Sequence, residues 1–380
     1  MNCFEKAEKL AGKLSQIRQH LHTHPELGMQ EKETQAYIIS QLKAMGAEVI
    51  TYPGQNAVVG IVKGAQGGKC VALRADMDAL PVTEATGLAC ASVNEGVMHA
   101  CGHDAHMTIA LGAAQLLSEC TAEWNGEVRF LFEPDEEGHG GAQDMVAMGC
   151  MDGVDAVLGL HMNPDYPAGK VFSKPGCVSG SSDTLFLTFN GSGCHGAYPE
   201  RGVDTIVMAA QALSAIQTLV SRNISPLDSA VVTFGTIQGG TANNVICPQV
   251  NLTGTLRTLR PETRQYLKNR IHEVCEGIAA SMGGSCEVKI KPSYGSVYNN
   301  EKLHELLEKA AGDRLIHREL PSLGVESFSY FVEKAPGLYY DLGCGVGTAL
   351  HTNTFSVDES CLPVGVALQT QLVLDVLKGD

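Results

Sequence analysis

The chain has 380 residues, of which 44% are hydrophobic, enough for two or three domains with a sizeable core. With 27 basic against 42 acidic residues the net charge is −15, so we expect no binding to duplex nucleic acid or to an anionic membrane. No apolar run approaches the ~20 residues of a membrane span, the N-terminal sequence does not resemble a secretory signal, and the 13 cysteines include no CxxC pair, which together favour a cytoplasmic protein with reduced thiols.

The first half of the chain predicts helices that alternate with strands. Apolar residues at helical spacing predict helices over 4–24, 31–45 and 104–119. Short apolar runs alternate with them, which indicates a mostly parallel central sheet covered by helices, the α/β class. The predicted strands are 57–63, 70–75, 127–133 and 155–161.

The pattern changes near residue 180. Three longer segments with partial alternation are separated by long predicted helices at about 203–222 and 260–282. This combination indicates an inserted α+β domain over 181–290, in which two helices pack against an antiparallel sheet.

After Pro292 the α/β pattern returns. We therefore expect a discontinuous catalytic domain formed by 1–180 and 291–380, interrupted by the insert. Its last elements are predicted as helices over 300–311, 326–334 and 362–378 and a strand over 337–342.

The densest group of metal-binding residue types precedes the third predicted helix. His99, Cys101, His103, Asp104 and His106 lie within eight residues. A glycine before the helix places Cys101 near the helix N-terminus, where the dipole favours a thiolate. Thiolates and imidazoles are good ligands for zinc and other transition metals, and His103 and His106 can share a helix face. The alternative is a structural helix start with hydrogen-bonded histidines.

A second group contains four acidic residues after the strand EVRFLF, at the end where α/β sheets place ligands. Such a cluster repels itself unless cations neutralise it. Neighbouring side chains cannot both point the same way, so one of Glu136 and Glu137 can bind metal while the other acts as general base. A solvated acidic loop is the alternative. With single histidines from GLHM and ALHT, the two groups supply a candidate two-metal site: Cys101, His103, Glu137, His161 and His351.

Eight sequence segments, spread over almost the whole chain, contain these groups or lie before or between them. They are HTHPELGMQEKET at 22–34, ALRADMDALPV at 72–82, MHACGHDAHM at 98–107, FLFEPDEEGHGGA at 130–142, GLHMNP at 159–164, GSGCHGAYPERGVD at 191–204, GGTANNVICP at 239–248 and ALHTNTFSVDE at 349–359. Together they resemble the dinuclear metallopeptidase family of aminoacylases and carboxypeptidase-like hydrolases. The greatest similarity is to its amidohydrolase branch, which contains hippurate hydrolases, N-acyl-amino-acid amidohydrolases and indoleacetyl-amino-acid hydrolases.

The resemblance implies metal-dependent hydrolysis of the amide bond of N-acyl amino acids, hippurate or related conjugates, which releases a carboxylic acid and a free amino acid. It implies that the five candidate ligands bind two divalent ions, manganese, zinc, nickel or cobalt, with Cys101 as the bridge. It also assigns the role of catalytic base to Glu136.

For the inserted domain, the resemblance implies a lid that carries substrate-binding residues. His195 stabilises the oxyanion, Asn243 or Asn244 holds the substrate, and Arg257 pairs with its carboxylate. The insert forms the dimer interface in relatives, so a homodimer is expected. His195 then acts either in its own subunit's site or in that of the partner subunit.

Three more residues are expected to orient the ligands. Asp76 and Asp78 lie at the end of another predicted strand, and helix capping after Leu73 is the alternative for them. His106 is expected to orient ligands as well. The family's usual Glu-Asp-Phe segment reads Glu326-Ser327-Phe328 here, which leaves the reaction unchanged but bears on the substrate.

Two other functions stay open at this stage. One is a dipeptidase or aminopeptidase on the same scaffold. The other is a non-catalytic protein that binds acyl-amino acids, against which the retention of Glu136 and all five candidate ligands argues.

Overall fold

The computed structural model describes residues 2–138 and 140–379. The chain divides into two units, and the inserted unit comprises Ser179–Val297 and Pro321–Glu326, where we predicted 181–290. The second segment belongs to it because Ser179 forms a β-bridge with Ser322 and the Gly180 N–H donates to the Gly324 carbonyl at 3.1 Å. The larger unit consists of Met1–Val178, Tyr298–Leu320 and Ser327–Asp380.

Helices and strands occur in both units. The helices are α1 (Cys3–Lys9), α2 (Ala11–Thr23), α3 (Lys32–Ala44), α4 (His103–Ser118), α5 (Gly141–Ala147), α6 (Thr205–Thr218), α7 (Pro261–Ser281), α8 (Glu301–Ala311), α9 (Ser329–Val332) and α10 (Leu362–Lys378). The strands are β1 (Glu48–Thr51), β2 (Val58–Lys63), β3 (Cys70–Asp76), β4 (Glu127–Glu133), β5 (Ala156–Asn163), β6 (Val171–Ser173), β7 (Gly176–Ser179), β8 (Ser181–Asn190), β9 (Ala230–Gly239), β10 (Gln249–Thr258), β11 (Ser285–Pro292), β12 (Val297–Asn299), β13 (Leu315–His317) and β14 (Gly337–Gly343).

Two predicted helices differ from the structure. The helix predicted over 4–24 is divided into α1 and α2, because the Leu10 N–H bonds to the Ala7 carbonyl, three residues back, at 2.9 Å and so ends α1 in a tighter turn. The helix predicted over 326–334 is reduced to α9. Ser327, just before α9, is held instead by hydrogen bonds with Arg74 and Glu136.

The larger unit is built on a mixed, mostly parallel sheet. Six strands follow the order β1-β2-β4-β3-β5-β14. The strands from β4 to β14 in this order run parallel, whereas β2 is antiparallel to both β1 and β4. The carboxyl ends of β3, β4 and β5 therefore lie at one edge, and candidate site residues lie at the ends of β3 and β5 and in the loops after β3 and β4. This sheet with its helices confirms the predicted fold class.

The last helix forms part of the core of this unit. By length and composition the segment Glu359–Lys378 could cross a membrane, with a mean hydropathy of 1.5, which corrects the expectation that no segment approaches that length. However, 72% of its most apolar 18-residue stretch is buried inside the protein. Leu368, Leu372 and Val373 of α10 are fully buried in the cluster that also contains Leu111 of α4. The apolarity of α10 is accounted for by this packing.

The inserted unit has its own sheet and its own core. Its four strands are antiparallel, in the order β11-β8-β10-β9. Leu187 of β8 and Leu252 of β10 are paired and buried, and Met208 of α6 and Ile271 of α7 join the same cluster. The predicted arrangement of two helices with an antiparallel sheet is thereby confirmed.

Candidate metal centre

A tight turn before α4 places Cys101 beside the end of β5. Gly102 has a φ of 86°, in the left-handed region, and a side-chain carbon at this position would lie 2.9 Å from Cβ of Met162. The turn therefore requires glycine for both its conformation and its close approach. It brings the Cys101 Sγ to 3.4 Å from Nε2 of His161, which is on β5.

The loop that contains His351 reaches the same turn. The His351 N–H donates to the Ala100 carbonyl at 2.8 Å. Its Nε2 lies 3.3 Å from the Cys101 Sγ and 3.0 Å from Glu137 Oε1. His351 has a φ of 63°, an uncommon conformation for a residue with a side chain, so the loop holds this imidazole in place at some backbone cost.

The structure brings the five predicted ligands and Glu136 into one cluster within the larger unit. Three overlapping groups each offer ligand atoms within 4.8 Å of one another. Cys101, His103 and Glu137 each belong to two of them. The groups are Cys101, His103 and His161; Cys101, Glu137 and His351; and His103, Glu136 and Glu137.

The chemistry of these side chains fits divalent metal ions. The buried Nε2 of His103 has no hydrogen-bond partner among the described residues, as expected for a nitrogen that binds a cation. Burial raises the pKa of the Cys101 thiol well above its usual value, so the thiolate needs an adjacent positive charge. Thiolate, imidazole and carboxylate together are typical of zinc and similar ions.

Glu137 is ionised before any metal binds. Burial opposes its charge, but the hydrogen bond with His351 and the charge of His103 outweigh that effect and lower its pKa to about 2. The same contact raises the pKa of His351. Glu136, the residue before Glu137, is also buried. Its Oε1 accepts a hydrogen bond from the Ser327 N–H at 3.3 Å.

Asp78 holds two of the candidate ligands. His103 Nδ1 lies 2.8 Å from the Asp78 carbonyl oxygen and 3.2 Å from its Oδ1, which leaves Nε2 for the cluster. The Glu137 N–H donates to Asp78 Oδ2 at 3.0 Å. Asp78 thus holds the imidazole of His103 and the backbone of Glu137, which is the kind of support that outer residues of metal sites give.

His106 connects β3 to β5. Its Nδ1 donates to Asp76 Oδ1 at 2.6 Å, and its Nε2 accepts from the Met162 N–H at 2.8 Å. Burial lowers the pKa of His106 to about 4, so the imidazole is neutral and can do both. The alternative that Asp76 and Asp78 cap a helix is wrong, because β3 continues to Asp76 and the two side chains contact histidines instead.

The sequence interpretation missed Arg74. Its buried guanidinium donates to Glu133 Oε2 at 2.7 Å, to Asp76 Oδ2 at 2.6 Å and to Ser327 Oγ at 2.7 Å. Burial opposes ionisation of Asp76, but the charges of Arg74 and of His103 outweigh it and hold the pKa of Asp76 well below its usual range. The available signal was a charged residue in the middle of an apolar strand, which is rare without a buried partner.

The remaining predicted residues lie in the inserted unit. The N–H of Gly196, the residue after His195, donates to the Asn244 carbonyl oxygen. The loop that contains His195 and the loop that contains Asn243 and Asn244 are therefore neighbours. Arg257 is on β10. Its Nη1 is buried and has no hydrogen-bond partner among the described residues, and burial lowers the pKa of the guanidinium. A half-buried guanidinium with an unpaired buried nitrogen is suited to binding an anionic group.

Comparisons with known proteins identify the family of the chain. The family model described as peptidase family M20/M25/M40 matches residues 72–375. An N-acetylcysteine deacetylase of Bacillus subtilis (strain 168) is 38% identical over 96% of this chain and 97% of its own length. Thermostable carboxypeptidase 1 of Saccharolobus solfataricus is 37% identical over 94% of each chain.

A solved structure is consistent with this family match. A dinuclear metal-binding peptidase of the M20 family from Bacillus subtilis superimposes with a TM-score of 0.87 and 35% identity, covering 98% of this chain and 99% of the other. The resemblance inferred from the motifs is thereby confirmed. The chain belongs to peptidase family M20/M25/M40 and is a metal-dependent amidohydrolase or peptidase.

Proposed function

We propose that the protein hydrolyses the amide bond of N-acyl amino acids, such as hippurate or related conjugates, to a carboxylic acid and a free amino acid. The observation that supports this most directly is the cluster around Cys101, in which Glu136 lies beside Glu137 at the edge of the ligand set. The N-acetylcysteine deacetylase relative cleaves an amide of the same kind, as its name states.

The proposed ligands of two ions are Cys101, His103, Glu137, His161 and His351, with Cys101 shared. Two divalent ions held by these residues would supply Lewis acidity and would lower the pKa of a bound water molecule. Manganese, zinc, nickel and cobalt all suit these ligands.

Glu136 takes a proton from the attacking water and later returns it to the leaving amine nitrogen. Its carboxylate is held for this by the Ser327 N–H. His195 donates to the carbonyl oxygen as negative charge develops there. Arg257 pairs with the α-carboxylate, and Asn243 or Asn244 holds the amide end of the substrate.

The inserted unit is proposed to be a lid and a dimer interface. Strand β9 is at the edge of its sheet and exposes Val231 and Ile237, and the neighbouring surface of α6 exposes Ile206 and Val207. An edge strand with apolar side chains is suited to pairing with a second copy. We place this homodimer in the cytoplasm, with a small-molecule substrate and with neither nucleic acid nor membrane as a partner.

A screen of substrates tests the proposal. The metal-supplemented protein is incubated with N-acetyl and N-benzoyl amino acids and with dipeptides that have a free amino group, and the released amine is measured. We expect turnover of the N-acyl amino acids and none by Glu136→Gln. Turnover of dipeptides alone would instead show a dipeptidase or aminopeptidase. Turnover of neither class would contradict the proposed substrate class.

A further inference from the structure

A second group of metal-binding side chains lies in the larger unit and shares no residue with the cluster around Cys101. His304 and Glu308 are four residues apart on α8 and so lie on the same helix face. His317 is the last residue of β13. One ligand atom from each of the three lies within 4.8 Å of the other two. We refer to these residues as the α8–β13 triad.

The His304 side chain is buried, and its Nδ1 lies 3.4 Å from Glu308 Oε1. Only 2% of the residue is exposed, and its Nε2 has no hydrogen-bond partner among the described residues. The nitrogen that lies near Glu308 is Nδ1, so the proton of the neutral imidazole is on Nε2 when Nδ1 offers its lone pair. Burial lowers the pKa of His304, and the titratable groups that act on it are Glu308 and His317.

The distances within the triad are close to those of a metal site. Tetrahedral ligands about 2.0–2.2 Å from a zinc ion lie about 3.3–3.6 Å from one another. Glu308 Oε1 is 3.4 Å from His304 Nδ1 and 3.9 Å from His317 Nδ1. The Glu308 and His317 side chains are 43% and 66% exposed, so an ion can reach them and small side-chain rotations can close the group.

We propose that the α8–β13 triad binds one divalent transition-metal ion of the zinc type, with water completing the coordination. Two imidazoles and one carboxylate select such ions over calcium and magnesium, which prefer oxygen ligands throughout. The ion links α8 to β13 across the turn at Gly312–Arg314. The proposal does not depend on the hydrolytic activity, because none of the three residues belongs to the proposed catalytic centre.

Zinc titration of the metal-loaded protein tests the proposal. The proposed catalytic centre is first saturated, and zinc is then titrated in competition with a chromophoric chelator. We expect one further equivalent per chain in the wild type and its loss in His317→Ala. Anomalous diffraction at the zinc edge should place that ion between His304, Glu308 and His317.

The chain offers a matched control for this experiment. His272 and Glu276 on α7 form a similar pair four residues apart, with Nδ1 3.7 Å from Oε1, but no third ligand completes a group there among the described residues. His272→Ala should therefore keep the further equivalent. Glu308→Gln provides a second variant if His317→Ala melts at a lower temperature than the wild type without zinc.

Three results would overturn the proposal. The first is a wild type that binds no further zinc. The second is zinc binding of equal strength in wild type, His317→Ala and Glu308→Gln, which would indicate an adventitious ion only. The third is an anomalous peak at some other position.

Discussion

At the scale of single residues, the two adjacent glutamates have different surroundings. Glu137 Oε1 contacts His351 Nε2 at 3.0 Å, whereas Glu136 Oε1 accepts the Ser327 N–H. Glu137 also has its backbone held by Asp78. These contacts favour Glu137 as the ligand and Glu136 as the base, a choice that the residue pattern alone left open.

This difference predicts opposite effects of two conservative substitutions. Glu136→Gln should reduce kcat by about 10²–10⁴-fold with metal content nearly intact, because it removes the base and no ligand. Glu137→Gln should lower metal occupancy itself. Both are measured by steady-state kinetics beside elemental analysis of the purified protein. Normal metal content and normal rate in both variants would refute the two-metal assignment.

The side chains that orient the ligands could be predicted only in part. Asp76 and Asp78 follow a predicted strand, and the carboxyl ends of parallel strands meet at one edge, so their approach to the cluster could be anticipated. The partners of Arg74 could not, because Glu133 and Ser327 are 59 and 253 residues away in sequence. No local pattern specifies such pairs. They depend on the order of the strands in the sheet and on the path of the segment that contains Ser327.

At the scale of secondary-structure elements, α4 is held at both faces of its first turn by buried polar groups. On one side His106 bridges Asp76 of β3 and the Met162 N–H of β5. On the other side, Asp104 binds Arg18 and His22 of α2, each at 2.8 Å. The turn that carries Cys101 is thus fixed to a strand pair and to a helix.

His106→Ala should therefore weaken metal binding even though His106 is not a proposed ligand. Loss of an outer partner costs about 10–100-fold in metal affinity, and here the backbone beside His161 loses its anchor. Competition with a chelator of known affinity measures this change. His24→Ala, a substitution at an exposed histidine after α2, is the control. Equal affinity in the two variants would contradict the anchoring role.

The contact between α2 and α4 predicts a pH dependence of stability. His22 Nδ1 lies 2.8 Å from Asp104 and Nε2 lies 3.3 Å from Glu84. Burial disfavours the imidazolium, but the charge of Asp104 outweighs burial and raises the pKa of His22 above 6.5. The raised pKa means that the charged form stabilises the folded state fully below pH 6.5, and that this stabilisation is lost as the pH rises through the folded-state pKa.

The free energy of unfolding of wild type minus that of His22→Gln should therefore be largest at mildly acidic pH and should shrink towards alkaline pH. Urea unfolding at a series of pH values gives this difference. His24→Gln again serves as the control, since His24 contacts no carboxylate among the described residues. A difference that grows with pH would show that His22 is buried in its neutral form.

At the scale of the whole molecule, the class of each unit was predictable and its boundary was not. Alternating helices and strands specify a parallel sheet, and longer alternating strands specify an antiparallel one, so both units could be anticipated from periodicity. The assignment of Pro321–Glu326 to the inserted unit depends on the bridge between Ser179 and Ser322. That pairing joins residues 143 positions apart and has no local signature.

The division of the chain also separates the proposed catalytic residues. The cluster around Cys101, with Glu136, lies in the larger unit, whereas His195 and Arg257 lie in the inserted unit. We expect His195→Ala to reduce kcat by about 10²–10³-fold, because it removes a donor to the developing oxyanion. Arg257→Ala should chiefly raise KM. The increase should be much smaller for a substrate whose carboxylate is amidated, since that substrate has no charge for Arg257 to bind.

Mixing two inactive variants shows which subunit's site His195 serves. In a mixed dimer of Glu136→Gln and His195→Ala, one subunit retains Glu136 and the other retains His195. If His195 acts in the site of the partner subunit, one of the two sites is complete, and activity should recover towards about a quarter of the wild-type rate, because random exchange makes half of the dimers mixed and each has one working site. Subunit exchange is verified by native mass spectrometry of differently tagged chains. No recovery despite verified exchange would place His195 in its own subunit's site, and unchanged activity of His195→Ala alone would exclude it from catalysis.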